Sequence, residues 1–161
     1  MLEQTGIPTA EDIARVTPSA ARRRRGPVAV VECFQKIPCN PCFTACKTGA
    51  YKPFADINDL PQIDHEACNG CGICVSHCPG LAIFIVDESG ADTDVVRIPY
   101  EFLPLPRPGE RVIALDRAGE AVGEATVIRV QNAPALDKTN VVWLSVPKGM
   151  GMTVRNMKVR R

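Results

Sequence analysis

The sequence predicts an α+β fold in three parts: a short helical extension over 1–27, a duplicated cysteine-rich unit over 28–86, and a small all-β domain over 87–161. Three observations carry this. All eight cysteines fall between Cys33 and Cys78. Three of them, Cys39, Cys42 and Cys46, map onto Cys71, Cys74 and Cys78 at a constant offset of 32, as Ala50 maps onto Ala82 and Tyr51 onto Ile83. Beyond residue 87 the chain turns to β-branched runs separated by Gly, Pro and Asn turns, the pattern of a small sandwich or barrel.

In the extension, Thr9 is placed to cap a helix over "AEDIARV", with Asp12 in its first turn. Thr17 is placed to cap a second helix that starts at Pro18 and stops at Gly26-Pro27. Arg22–Arg25 then fall in the last turn, where cations favour the helix dipole. "VAVVE" reads as a strand that delivers the chain to the first cysteine. In the last part, strands are expected in "VVRIPYEF", "RVIALD", "AVGEATVIRVQ", "TNVVWLSV" and "MTVRNMKV", with Trp143 anchoring their core.

The formal charge is +1 and the basic and acidic residues balance along the chain, so no global field draws it to nucleic acid or to a membrane surface. The apolar runs, such as "LAIFIV" at 81–86, are too short to span a bilayer, and no apolar leader is seen, so a soluble cytoplasmic protein is expected. In that compartment, closely spaced cysteines read as metal or redox chemistry and not as a disulfide framework.

"CNGCGICVSHCPG", 68–80, is C-x2-C-x2-C-x3-C-P, an iron–sulfur ligand run. Three thiolates at three-residue steps can grip three iron corners of a cubane, and Gly70 and Gly72 let the backbone wrap closely. Zinc also takes four thiolates, but its sites use two separated pairs. In the first half Cys33 stands where Cys68 stands, three residues further out, with "FQKIP" in place of "NG". Cys33 therefore reads as a first ligand on an enlarged loop. His65 and His77 read as structural residues, because eight cysteines are available as ligands, and Met150 and Met152, in "GMGM", read as loop packing in a glycine turn.

The cysteine region resembles the bacterial 2[4Fe-4S] ferredoxins, including "LPQID" ahead of the second motif and "CPGLAI" after it. That resemblance implies a pseudo-twofold fold with two oxygen-sensitive [4Fe-4S] clusters and crossed ligation. One cluster takes Cys33, Cys39, Cys42 and Cys78; the other takes Cys68, Cys71, Cys74 and Cys46. Lys47 stands where the family has proline after the fourth cysteine. A narrower resemblance, carried by "ECFQKIPCNPC", "DKTNVVWLSVP" and "MTVRNMKV", is to the ferredoxin-like subunits of heteromeric flavin-dependent dehydrogenases that oxidise proline, hydroxyproline, opines or sarcosine. It implies a non-catalytic electron-transfer subunit, partnered by FAD or FMN flavoproteins in a hetero-oligomer. A free diffusible ferredoxin and a redox-sensing or structural iron–sulfur module are the alternative readings.

Overall fold

The computed structural model describes residues 2–136 and 138–160. Three short helices open the chain: α1 (Leu2–Thr5), α2 (Ala10–Val16) and α3 (Ala20–Arg24). Thr9 and Asp12 form a reciprocal capping box at the start of α2. The cap expected at Thr17 is elsewhere. Ser19 caps α3, its hydroxyl accepting the Arg22 N–H at 3.1 Å. Thr17 closes α2 instead, donating its hydroxyl to the Ile13 carbonyl at 2.7 Å. Because α3 begins at Ala20, the capping position falls on Ser19 and not on Thr17.

Among the described residues the strands form one antiparallel sheet. They are β1 (Val28–Val31), β2 (Ile83–Asp87), β3 (Thr93–Tyr100), β4 (Arg111–Leu115), β5 (Ala121–Gln131), β6 (Asn140–Pro147) and β7 (Asn156–Lys158). The order across the sheet is β1-β2-β3-β6-β5-β4-β7. The compositional boundary near residue 87 therefore falls between two hydrogen-bonded neighbours, with Val86 opposite Val96 and Asp87 opposite Val95. The last strand is shorter than its sequence run. Residues 150–154 fold into turns, with the Thr153 and Val154 N–H groups donating to the Met150 carbonyl. The buried Asp94 carboxylate holds the start of that turn by accepting the Gly149 and Gly151 N–H groups.

The sheet has two buried faces because successive strand residues point to opposite sides. Phe84, Val96, Ile98, Val142 and Leu144 join Val112 and Val127 in an apolar core. Each such aliphatic side chain contributes about 1.5–3 kcal/mol on burial. Ala29, Val31, Ile83, Ile85 and Val141 face the other way and pack with the cysteines. Trp143 lies on this cysteine face and not in the apolar core. Its neighbours in sequence, Val142 and Leu144, are fully buried on the β-core side, and alternation sends the indole across.

The connection from β1 to β2 holds α4 (Pro41–Ala45) and α5 (Ile73–His77), which pack together and whose bounds differ by the same offset of 32. The pairing repeats as well: Tyr51 bridges Ile63, and Val31 pairs with Ile83, where Ile83 lies 32 residues after Tyr51 and Val31 lies 32 residues before Ile63. The duplication seen in the cysteine spacing thus extends to helices and strand pairs. No described helix is long and apolar enough to cross a membrane.

Candidate metal centre

The eight cysteines gather around two separate cavities. Cys33, just past β1, Cys39 and Cys42 line the first, and Cys78, at the C-terminal end of α5, completes it. Cys68, Cys71 and Cys74 line the second, completed by Cys46 at the C-terminal end of α4. Each cavity thus takes three sulfurs from one repeat and one from the other. The crossing has a simple cause. Each helix starts beside its own loop of three cysteines and ends against the opposite one, because the two helices pack together.

All eight thiols are free. Burial pushes the Cys42 thiol up to about 11, and the nearby Cys78, Cys33 and Cys39 add to this. Burial likewise pushes Cys74 up to about 12, with Cys68, Cys71 and Cys46 adding to it against a pull from Tyr51. Cys33 is raised by burial, then by Cys78 and Cys39. In each case the neighbouring sulfurs are those of the same cavity. Cys46 is the exception in direction. Burial raises it, but the Thr48 hydroxyl and the N–H groups of Thr48, Ala50 and Tyr51 outweigh burial and lower it. Buried thiols this reluctant to ionise become stable thiolates when a cation takes the proton's place. Among the described residues, no three His, Cys, Asp or Glu side chains are arranged to hold one metal ion. The sulfurs line cavities, a donor set that fits a cluster offering one iron to each thiolate.

Buried polar atoms surround the second cavity. The Tyr51 side chain lines it, and its hydroxyl is buried without a hydrogen-bond partner. Of the sulfurs, Cys74 acts on that hydroxyl most strongly, followed by Cys42 and Cys68. Burial and these sulfurs raise the phenol far above its ordinary value, so it stays a donor. Gly70 has φ +68°, and a Cβ there would stand 2.3 Å from the Pro27 carbonyl oxygen, so the cysteine loop lies against the chain entering β1.

Two arginines fasten this loop, and neither stood out in the sequence as a site residue. Arg22 lies in the last turn of α3, as the Arg22–Arg25 run suggested, and it is buried. It donates to the carbonyls of His65 at 2.7 Å, Gly26 at 3.1 Å, Pro27 at 3.0 Å and Cys68 at 2.6 Å. Arg97, on β3, donates to the Gly70 carbonyl at 2.8 Å and stacks 3.7 Å from the centre of the Trp143 ring. On the other side, Glu32 adjoins Cys33 and accepts from Arg117 at 2.9 and 2.6 Å and from Arg155 at 2.8 Å. Of the two histidines, His77 is exposed and its Nδ1 lies 2.8 Å from the Ile73 carbonyl; His65 lends its carbonyl to Arg22. The Met152 sulfur accepts from Arg155, and Met150 packs on the apolar core.

Residues 61–84 match the family model described as "4Fe-4S binding domain". The chain is 35% identical over 52 residues to the ferredoxin-type protein NapF of Escherichia coli (strain K12), covering 31% of this chain and 32% of that protein. It is 38% identical over 52 residues to the pyruvate synthase subunit PorD of Methanocaldococcus jannaschii, covering 32% and 58%. It is 43% identical over 47 residues to the dissimilatory-type sulfite reductase subunit beta of Archaeoglobus fulgidus, covering 29% and 13%. The chain therefore spans less than two thirds of each of these relatives. No solved structure matches it at the same stringency. The motif match and these similarities converge on one feature: the chain carries a ferredoxin-type 4Fe-4S binding domain, which supports an iron–sulfur electron-transfer role.

Proposed function

We propose that the chain holds two [4Fe-4S] clusters, one on Cys33, Cys39, Cys42 and Cys78 and one on Cys46, Cys68, Cys71 and Cys74. We propose further that it is the electron-transfer subunit of a cytoplasmic, multi-subunit flavin-dependent dehydrogenase of the proline, opine or sarcosine type. The observation that carries the reading is the division of eight free thiols into two complete sets of four, each on its own cavity. The bound clusters supply one-electron chemistry, which suits a flavin partner that takes two electrons together and releases them singly.

The residues supply the rest. The sheet and the packed helices hold the sulfurs in place and keep Cys42 and Cys74 from water. Fold and domains are read as a pseudo-twofold ferredoxin-like unit over 28–86, with a helical extension before it and a β module after it. The β module bears no cysteine, and the loop after β3 presents Phe102 and Leu103 at 60% and 86% exposure. Apolar side chains presented this way favour a lasting interface with a flavoprotein subunit over service as a free carrier.

Anaerobic purification from the native source tests both levels. About eight irons per chain are expected, together with a flavoprotein at stoichiometric ratio that survives moderate salt. Cys78→Ala is expected to remove the same low-temperature spectral signal as Cys42→Ala, and Cys46→Ala the same signal as Cys74→Ala. If Cys78→Ala and Cys74→Ala share a signal, the crossed sets are wrong. An intact chain that runs alone and reduces several unrelated enzymes points to the diffusible carrier.

A further inference from the structure

We infer that the two cluster sites are not equivalent: the site of Cys46, Cys68, Cys71 and Cys74 is built to hold the electron, and Thr48, Tyr51 and Arg97 make it so. The inference rests on the two-cluster reading above and deepens it.

The backbone treats the two sites alike. Cys68, of the second site, accepts the Gly70 N–H at 3.4 Å. Cys78, of the first site, accepts the Ala82 N–H at 3.4 Å. These two main-chain bonds, one at each site, do not separate the sites.

Side chains break the symmetry. The Thr48 hydroxyl lies 3.4 Å from the Cys46 sulfur and donates to it once that sulfur is a thiolate. Its counterpart at offset 32 is Gly80, which has no side chain to donate. The Tyr51 hydroxyl is buried without a partner on a residue that lines the second cavity, and Cys74 acts on it ahead of Cys42 of the first site. Its counterpart is Ile83, which lines the first cavity with a hydrocarbon. A buried, unsatisfied O–H costs roughly 1–3 kcal/mol and persists where something supplies its acceptor. An anionic sulfur in that cavity does so.

Charge points the same way. One row of paired residues crosses the cysteine face of the sheet: Ala29, Ile85, Arg97, Trp143 and Arg129. Ala29 and Ile85 line the second cavity, and Arg97 is the next residue in the row. Its guanidinium grips the Gly70 carbonyl, and its buried Nε has no partner. The Cβ position of Gly72 is 3.6 Å from its Nη1. The first cavity is lined instead by the acidic Asp59. Donors to sulfur and a fixed cation lower the cost of added negative charge, whereas a carboxylate raises it. The β module thus does more than cover the cysteine unit. Through Arg97 it places a charge beside one site of the pair.

The test is an anaerobic titration of the full chain with dithionite, followed by low-temperature electron paramagnetic resonance. The signals are assigned by Cys42→Ala, which removes the first site, and Cys74→Ala, which removes the second. In the wild type the signal of the second site is expected to appear first. Tyr51→Phe, which keeps the ring, is expected to lower that site's reduced fraction about tenfold relative to the first, about 59 mV for a one-electron couple. Arg97→Gln is expected to act in the same direction, and Arg97→Lys to restore part of the effect. The inference is overturned if the first site fills first, or if Tyr51→Phe moves neither signal or both equally. Should Arg97→Gln fail to take up iron, Tyr51→Phe decides alone. About four irons per chain and one signal in the wild type would overturn the two-cluster reading itself, a result the iron assay separates from the others.

Discussion

Replacing Glu32 with Gln should unclasp the two halves of the molecule. Glu32 sits at the end of β1 beside Cys33, whereas Arg117 and Arg155 come from the β4–β5 turn and the segment before β7. The carboxylate side chain is 7% exposed and that of Arg155 is 3% exposed, so solvent screens neither. Glu32 accepts three charge-assisted hydrogen bonds there. Gln keeps one acceptor oxygen and turns an NH2 group toward guanidinium donors. Breaking a buried pair on one side costs about 3–5 kcal/mol. For a chain of this size that is about 6–20 °C in the apparent melting temperature.

Circular dichroism melts of the anaerobic protein at pH 7 measure it, with iron content as the control for assembly. A double-mutant cycle with Arg155→Met isolates the pair. A melt of Glu32→Gln within about 2 °C of wild type, or losses that simply add in the cycle, would refute the reasoning. The pH dependence has a definite sign. Burial raises the Glu32 carboxyl, but Arg117 and Arg155 overcome it and hold it below its ordinary 4.5. Its folded value is thus the lower one, so its contribution is complete above the unfolded value and is lost as pH falls through the folded one. The gap between wild type and Glu32→Gln should therefore be complete above about pH 4.5 and narrow as pH falls through the lower folded value.

Gly70→Ala should halve the iron content selectively. The new Cβ would meet the Pro27 carbonyl at 2.3 Å on a backbone at φ +68°, and the second site's loop cannot retreat without leaving Arg22 and Arg97. Iron assay with the spectral assignment above checks this, and loss of the first site's signal instead would contradict it. Arg22→Lys should speed iron loss to a chelator from the second site, because one ammonium has three donors and cannot serve four carbonyls in a planar array.

The cysteine region was legible because cluster ligation writes its geometry into local spacing, and duplication wrote it twice. The strand runs were legible where alternation was strong: "AVGEATVIRVQ" coincides with β5, and "VAVVE" overlaps β1. What stayed hidden depends on contacts far apart in sequence. Nothing near Val86 announces that Val96 is its partner across the compositional break. Arg22 looks like its neighbours in the run until the fold sets four carbonyls around it. Trp143 had the composition of a core anchor, but its side of the strand was set by Val142 and Leu144. Arg97 and Glu32 carried no signal, since a lone charge in a strand or at its end is ordinarily solvated.

The pairing of β1 with β2 has a consequence for assembly. The stretch 32–82, which holds every cysteine, is a loop whose ends are zipped together at Val31 and Ile83. Closing a loop costs entropy that grows with the logarithm of its length. Here the strand pairing, backed by β3 and the apolar core beyond it, meets that cost before any iron arrives. The sulfurs then have only short internal closures left to make. Loss of a cluster should accordingly loosen the loop and spare the sheet, leaving a scaffold that can be refilled in place.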